Sequence, residues 1–127
     1  MRVLLDTHAL LWWWTDDPRL SSQARAVLSG REHEVHVSAA SAWEIATKTR
    51  LGKLGIPLAS ERFTELVALD GFVHFPIQAA HSLRAGAYPQ SHRDPFDRML
   101  AAQAELDGLK LVTNDPALEA FPAERLW

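Results

Sequence analysis

Four acidic residues, Asp6, Glu44, Asp97 and Asp115, fall where an extended apolar run has just ended or where the next helix begins, and they span almost the whole chain. That placement restricts the fold. In an open parallel sheet the carboxyl ends of the strands share one edge, so acids far apart in sequence meet over a single crevice. Bunched carboxylates repel one another by about 1 to 4 kcal/mol per close charged pair, between water and a surface-like dielectric. A divalent cation removes that penalty, and the pattern therefore reads as a metal site.

The rest of the chain alternates strand and helix without linker, repeat or low-complexity stretch. Arg2 to Leu5 reads as a buried strand and Thr7 to Trp14 as a helix. Ser21 or Ser22 caps a helix that ends before Gly30, and Glu34 to Ser38 alternates as a strand. A helix is predicted from Ser41 to Leu51, with Ser41 and Glu44 forming a capping box. Gly52 and Gly55 end it, and Ser60 opens another lasting to about Asp70. Phe72 to Ile77 is strand-like, with Pro76 marking an edge or an end. A helix follows from Gln78 to Ala85, then a polar loop from Tyr88 to Arg93. The clearest helix is Pro95 to Asp107, with Asp94 as its cap, Pro95 at its first position and Gly108 just past its end. Leu109 to Thr113 is read as the final core strand, and Asp115-Pro116 opens a short helix. This order predicts an α/β fold, a parallel sheet covered by helices.

Size and composition set the bounds. A chain of 127 residues with 47% apolar content is one domain, residues 1–127, able to bury roughly two thirds of its unfolded surface. No segment approaches the roughly twenty apolar residues of a membrane span, and the start MRVLLDTH is charged, so a cytoplasmic protein is expected. The absence of cysteine excludes disulfides, thiolate-bound zinc and thiolate catalysis, leaving hard oxygen ligands. A net charge of −3 gives no overall attraction to nucleic acid. Local cations are candidates for phosphate contact: Lys48, Arg50 and Lys53 in TKTRLGK, with Arg93 and Arg98 bracketing an acid-rich turn. For the first cluster the helix dipole is a sufficient explanation, because cations favour helix C-termini.

Singly, most of the acids have a structural explanation too. Asp94 and Asp115 are good N-caps, Asp97 complements a helix dipole, and Glu44 closes the predicted capping box. Asp6 is different. It follows Val3-Leu4-Leu5 at the end of a buried strand, where a charge is costly unless paired or bound to metal. Capping alone also does not require acids at so many strand ends, since Ser, Thr and Asn serve equally.

With these residues in place the sequence resembles a known family. VLLDTHALLWW, VSAASAWEIATK, HRDPFDRMLAAQA and LVTNDPAL look like the four acidic motifs of the PIN-domain ribonucleases, in particular the VapC-like toxins of bacterial toxin–antitoxin pairs. The likeness runs to about Leu118. It implies a three-layer α/β/α sandwich with a mainly parallel central sheet, and an Mg²⁺- or Mn²⁺-dependent endoribonuclease that is held inactive by a VapB-like antitoxin and dimerises. Carried over by position, Asp6 anchors the metal, Glu44 reaches in from its helix, and Asp97 and Asp115 complete the set. Asp94 either caps its helix or helps to bind a second cation. Thr7 and Thr113 flank the acids.

The implied chemistry is attack of an activated water on phosphorus, leaving 5′-phosphate and 3′-hydroxyl ends. His8 and His92 are candidate proton carriers, whereas His33, His36, His74 and His81 lack zinc-site spacing and read as structural. Trp12, Trp13 and Trp14 sweep about 200° of a helix, so at least one is expected to be partly exposed, under a neighbouring helix or at a dimer or antitoxin surface. Trp43 reads as core packing that fixes Glu44 rather than as a base-stacking platform. Two other functions fit the acids less well. A receiver- or dehalogenase-like phosphoryl-transfer domain would need further acidic and lysine positions that are missing, and a catalytically silent binding module would not need all four acids.

Overall fold

The computed structural model describes residues 1–127. Five strands form one sheet: β1 (Arg2–Leu5), β2 (Glu34–Ser38), β3 (Val73–Phe75), β4 (Lys110–Val112) and β5 (Arg125–Leu126). All pair in parallel, in the order β3-β2-β1-β4-β5. The chain builds one half of the sheet outward from β1 and then returns to build the other half. The switch point, where an open α/β sheet forms its crevice, therefore lies between β1 and β4.

Seven helices cover the two faces: α1 (Thr7–Trp14), α2 (Ser22–Ser29), α3 (Ala39–Arg50), α4 (Pro57–Glu61), α5 (Phe63–Leu69), α6 (Ala79–Ala87) and α7 (Pro95–Asp107). Strand alternation divides the core. Val3, Leu5, Val35, Val37 and Val112 face one layer with Leu10, Leu28, Ile45, Phe63 and Val67. Leu4 and Leu111 face the other, with Ala85, Tyr88, Leu100 and Phe121. The expected α/β/α sandwich is present, and its sheet is entirely rather than mainly parallel.

Several local readings change. The helix carrying Glu44 begins at Ala39, capped by the Ser38 hydroxyl, which accepts the Ala40 amide at 2.9 Å. Ser41 and Glu44 are therefore interior, and no capping box forms there. The segment predicted as one helix from Ser60 to Asp70 is two short ones, broken at Arg62. Leu109 to Thr113 is not the last strand, because Arg125–Leu126 adds an edge beyond β4; two residues are too few for a period to show. Gly108 does end α7, with φ +65°, a left-handed conformation that disfavours a side chain. All three consecutive tryptophans are half-buried. Trp13 and Trp14 both donate to Asp70 Oδ2, at 3.2 and 2.9 Å, and Trp12 packs edge-on against Trp127.

One buried polar link fixes the helices that frame the switch point. Gln103 of α7 is fully buried; its Oε1 accepts from the Ser38 hydroxyl at 2.5 Å and its amide donates to the Pro76 carbonyl at 3.1 Å. One side chain thus ties α7 to the end of β2, the start of α3 and the end of β3. Replacing it with leucine strands a hydroxyl and a carbonyl away from water, at about 1–3 kcal/mol for each group left unpaired. Gln103→Leu should lower the midpoint of urea denaturation accordingly; an unchanged midpoint would show that the link contributes nothing.

Candidate metal centre

The strand register brings the acids to one rim. Leu4 stands level with His36 and Leu5 with Val112, so Asp6 and Thr113, one step beyond their strands, share the carboxyl edge of the sheet with Ser38, the last residue of β2. Asp6 is the N-cap of α1, its Oδ1 accepting the Ala9 amide at 2.7 Å. The neighbouring Thr7 and Ser41 hydroxyls meet at 3.0 Å, joining the start of α1 to α3 beside Glu44. Asp94 caps α7 through the Phe96 and Asp97 amides, and Asp115 caps the 3₁₀ turn Pro116–Ala120 through the Ala117 amide.

Burial and mutual repulsion set the charge state of this rim. Asp6 is only 4% exposed. Burial pushes its carboxyl up to about 6, with Asp97 adding to the rise and the Thr113 hydroxyl, the Ala9 amide and His8 opposing it. Asp97 is also raised, first by burial and then by the charges of Asp94, Glu44 and Asp115, against the hydrogen bond from His92. All five acids therefore belong to one electrostatic neighbourhood, although they come from four separate stretches of chain.

Two side chains partly balance the charge. Lys48 Nζ donates to Glu44 Oε2 at 2.5 Å, one helical turn along α3. Burial works against the Lys48 charge, but that bond and the fields of Glu44, Asp94 and Asp97 outweigh it and raise its pKa. His92 Nε2 donates to Asp97 Oδ2 at 2.8 Å. The Glu44–Lys48 spacing was a visible signal for an i,i+4 pair; the His92 link crosses a loop and left no sequence period to read.

The donor set suits a hard divalent cation. It is all carboxylate oxygen, and Glu44 Oε1 is buried without a hydrogen-bond partner, an expensive state that a cation would relieve. No three Asp, Glu or His side chains are grouped tightly enough to enclose an ion as they stand. Lys48 and His92 hold one oxygen each of Glu44 and Asp97, and the caps use one oxygen each of Asp6, Asp94 and Asp115.

The basic candidates separate. Lys48 and Lys53 line a cleft of about 270 Å³ with Thr7, His8 and Glu44. Arg50 and Arg93 are exposed. Arg98 is withdrawn as a phosphate contact, because its guanidinium donates to the carbonyls of Ala85, Tyr88, Gln90 and His92 and so pins the loop before α7. His81 is structural as expected, taking the Gln78 amide on Nδ1 and donating from Nε2 to Asp107. Trp43 is not core packing: it is 58% exposed. A larger cavity, about 620 Å³ and lined by Trp13, His33, Leu69 and Phe72, touches none of the five acids.

The pKa of Asp6 has a consequence for stability. Between pH 3.8 and about 6 the native state holds a proton that the unfolded chain releases, so stability falls as pH rises through that window. The loss amounts to ~3 kcal/mol at about 1.4 kcal/mol per unit. Asp6→Asn, measured by denaturation in EDTA, should be the more stable protein at pH 7.5 and should show a shallower decline, with the residual slope due to Asp97. A variant that declines as steeply as the parent would show that Asp6 is not the group responsible.

The chain can now be compared with known proteins. The sequence profile of the PIN domain matches residues 3–124. Ribonuclease VapC22 of Mycobacterium tuberculosis (strain ATCC 25618 / H37Rv) is 34% identical over 123 residues, 93% of this chain and 90% of that protein. Among solved structures, VapBC2 from Rickettsia felis, bound to a DNA fragment from its promoter, matches 100% of this chain and 99% of its own with TM-score 0.73 at 14% identity. FitAcB from Neisseria gonorrhoeae matches 100% and 97% with TM-score 0.65 at 20% identity. At those identities the two structures speak for the fold, while the profile and the M. tuberculosis relative speak for descent: the chain belongs to the PIN domain family.

Proposed function

We propose that this protein is the toxin of a toxin–antitoxin pair, an endoribonuclease that hydrolyses RNA phosphodiester bonds with Mg²⁺ or Mn²⁺ and is silenced by a cognate VapB-like antitoxin. The observation that carries the reading is the coupled set of Asp6, Glu44, Asp97 and Asp115 at the switch point of the sheet. The name of the 34%-identical relative supports RNA as the substrate, and the toxin–antitoxin complexes among the structural neighbours support an antitoxin partner. The protein acts in the cytoplasm as a homodimer, alone or with its antitoxin bound.

In this reading Asp6, Glu44, Asp97 and Asp115 hold the cation, and Asp94 stays outside them as a cap with an outer-sphere share. When bound, a hard divalent cation supplies compensating charge and makes a water acidic enough to attack phosphorus in line. The chain does the rest. The Ala9 amide keeps Asp6 from swinging, and His92 orients Asp97. The Thr7–Ser41 link holds α3 at a fixed distance from β1. Lys48 guards the charge of Glu44 and, with Lys53, presents a positive wall to a phosphate strand. Cleavage by water leaves 5′-phosphate and 3′-hydroxyl ends, with no 2′,3′-cyclic intermediate.

A mixed RNA pool incubated with the purified protein should be cut in Mg²⁺ or Mn²⁺ and not in EDTA. Asp97→Asn should slow cutting by roughly 100-fold or more, the loss typical of removing a principal electrostatic group. Cleavage that survives EDTA, or products ending in cyclic phosphate, would take the acids out of the chemistry.

A further inference from the structure

The outward side of the helix contact that carries the acids is aromatic. Trp43 immediately precedes Glu44 on α3, and Phe96 immediately precedes Asp97 on α7. Successive helical residues diverge by about 100°, so Glu44 is 3% exposed while Trp43 beside it is 58% exposed. The two aromatic rings meet edge to face, with centroids 4.7 Å apart and an interplanar angle of 76°. Phe96 thus braces the indole on one side, and more than half of the Trp43 surface stays open to solvent. The other tryptophans are all half-buried, three of them engaged with Asp70 or Trp127. Trp43 alone of the five is presented to solvent, and each ring of the pair belongs to the residue next to one of the acids.

Two exposed arginines lie near this pair along the chain, one after Trp43 and one before Phe96. Arg50 lies seven residues on, along the same exposed face of α3. Lys48 and Lys53 line the cleft beside Glu44, on another face of α3, and Arg93 is exposed one residue before the Asp94 cap. An open aromatic face among phosphate-seeking cations is the arrangement by which proteins hold single-stranded nucleic acid. A second copy of the chain fits this face less well. A stable dimer covers about 800 Å² per partner around an apolar centre, and the outer stripe of α3, Ala39, Trp43, Ala46 and Arg50, offers one large apolar side chain.

We propose that Trp43, braced by Phe96, is a stacking platform for an unpaired nucleobase flanking the phosphodiester held at the acids. The proposal rests on the ribonuclease reading and deepens it. The platform selects single-stranded or looped RNA over duplex, because a base must leave its stack to reach the indole, and it tolerates any base.

The test uses two fluorescein-labelled single-stranded RNA probes of equal length, one of random sequence and one abasic throughout that keeps every phosphate. Binding is followed by fluorescence anisotropy in Ca²⁺, with gels to confirm that the probes stay intact, and the mass of each protein is measured by light scattering. Trp43→Ala should weaken binding of the random probe by roughly 5- to 150-fold and leave the abasic probe unaffected. Trp43→Phe should recover most of the loss, whereas Trp43→Leu, apolar but without a π face, should not. The mass should stay the same throughout. Three results would overturn the proposal: equal loss on both probes, no loss on either, or a fall in mass for Trp43→Ala, which would make the face an interface between copies. A parent protein that binds neither probe would sink the ribonuclease reading as well, whereas a parent that binds and cuts RNA alongside an unaffected Trp43→Ala would sink the platform alone.

Discussion

A carboxylate buried at the end of the central strand governs this molecule. Asp6 follows three fully buried residues, Val3, Leu4 and Leu5, and is itself almost inaccessible to water. Holding a charge there is unfavourable, and the surrounding architecture reads as a response to that cost. The Ala9 amide in the first turn of α1 donates to the carboxylate, the Thr113 hydroxyl stands beside it at the end of the neighbouring strand, and the order in which the chain adds strands switches between β1 and β4. Without Asp6 the crevice would be an ordinary end of a parallel sheet.

The other acids depend on polar links that the apolar core could not supply. Ser38 both caps α3 and bonds Gln103 of α7, so the helices carrying Glu44 and Asp97 are fixed to the same point of the sheet. Thr7 and Ser41 join the opposite side of α3 to the start of α1. Arg98 spends its guanidinium on four carbonyls, holding the loop from which His92 reaches Asp97. Each link is buried or nearly so, which gives it geometric consequence, because an unpaired member would cost more than the pair contributes. The acids are thereby placed on a backbone that does not yield to their repulsion.

Much of this was legible from residue order. The run Val3-Leu4-Leu5-Asp6 announces a buried strand ending in a charge, and the Asp94-Pro95 start and Gly108 stop bound α7 to the residue. Those signals are local, carried by one or two residues with strong conformational preferences. The misreadings share the opposite property. Glu44 three residues after Ser41 satisfies the spacing of a capping box, but Ser38 stands at the true start of the helix because the end of β2 fixes where the chain turns. Trp43 reads as core because it is large and apolar; its exposure follows from Glu44 turning inward, a demand of the site rather than of packing. Arg98 reads as a surface cation because its four acceptors are backbone carbonyls, which no side-chain pattern reveals. The two-residue edge strand β5 exists only through its pairing with β4.

If the acid rim is a metal site, a divalent cation relieves its unfavourable charge. Equilibrium unfolding of the unmodified protein at pH 7.5, with and without saturating Mn²⁺, tests it without reference to any substrate. A cation that binds the native rim and not the unfolded chain must raise the unfolding free energy, by ~2.7 kcal/mol at a concentration one hundred times its dissociation constant. That rise is the expected result, and a pH series in Mn²⁺ should lose the decline in stability between pH 3.8 and about 6 that EDTA leaves in place. Identical unfolding curves in Mn²⁺ and in EDTA would contradict it.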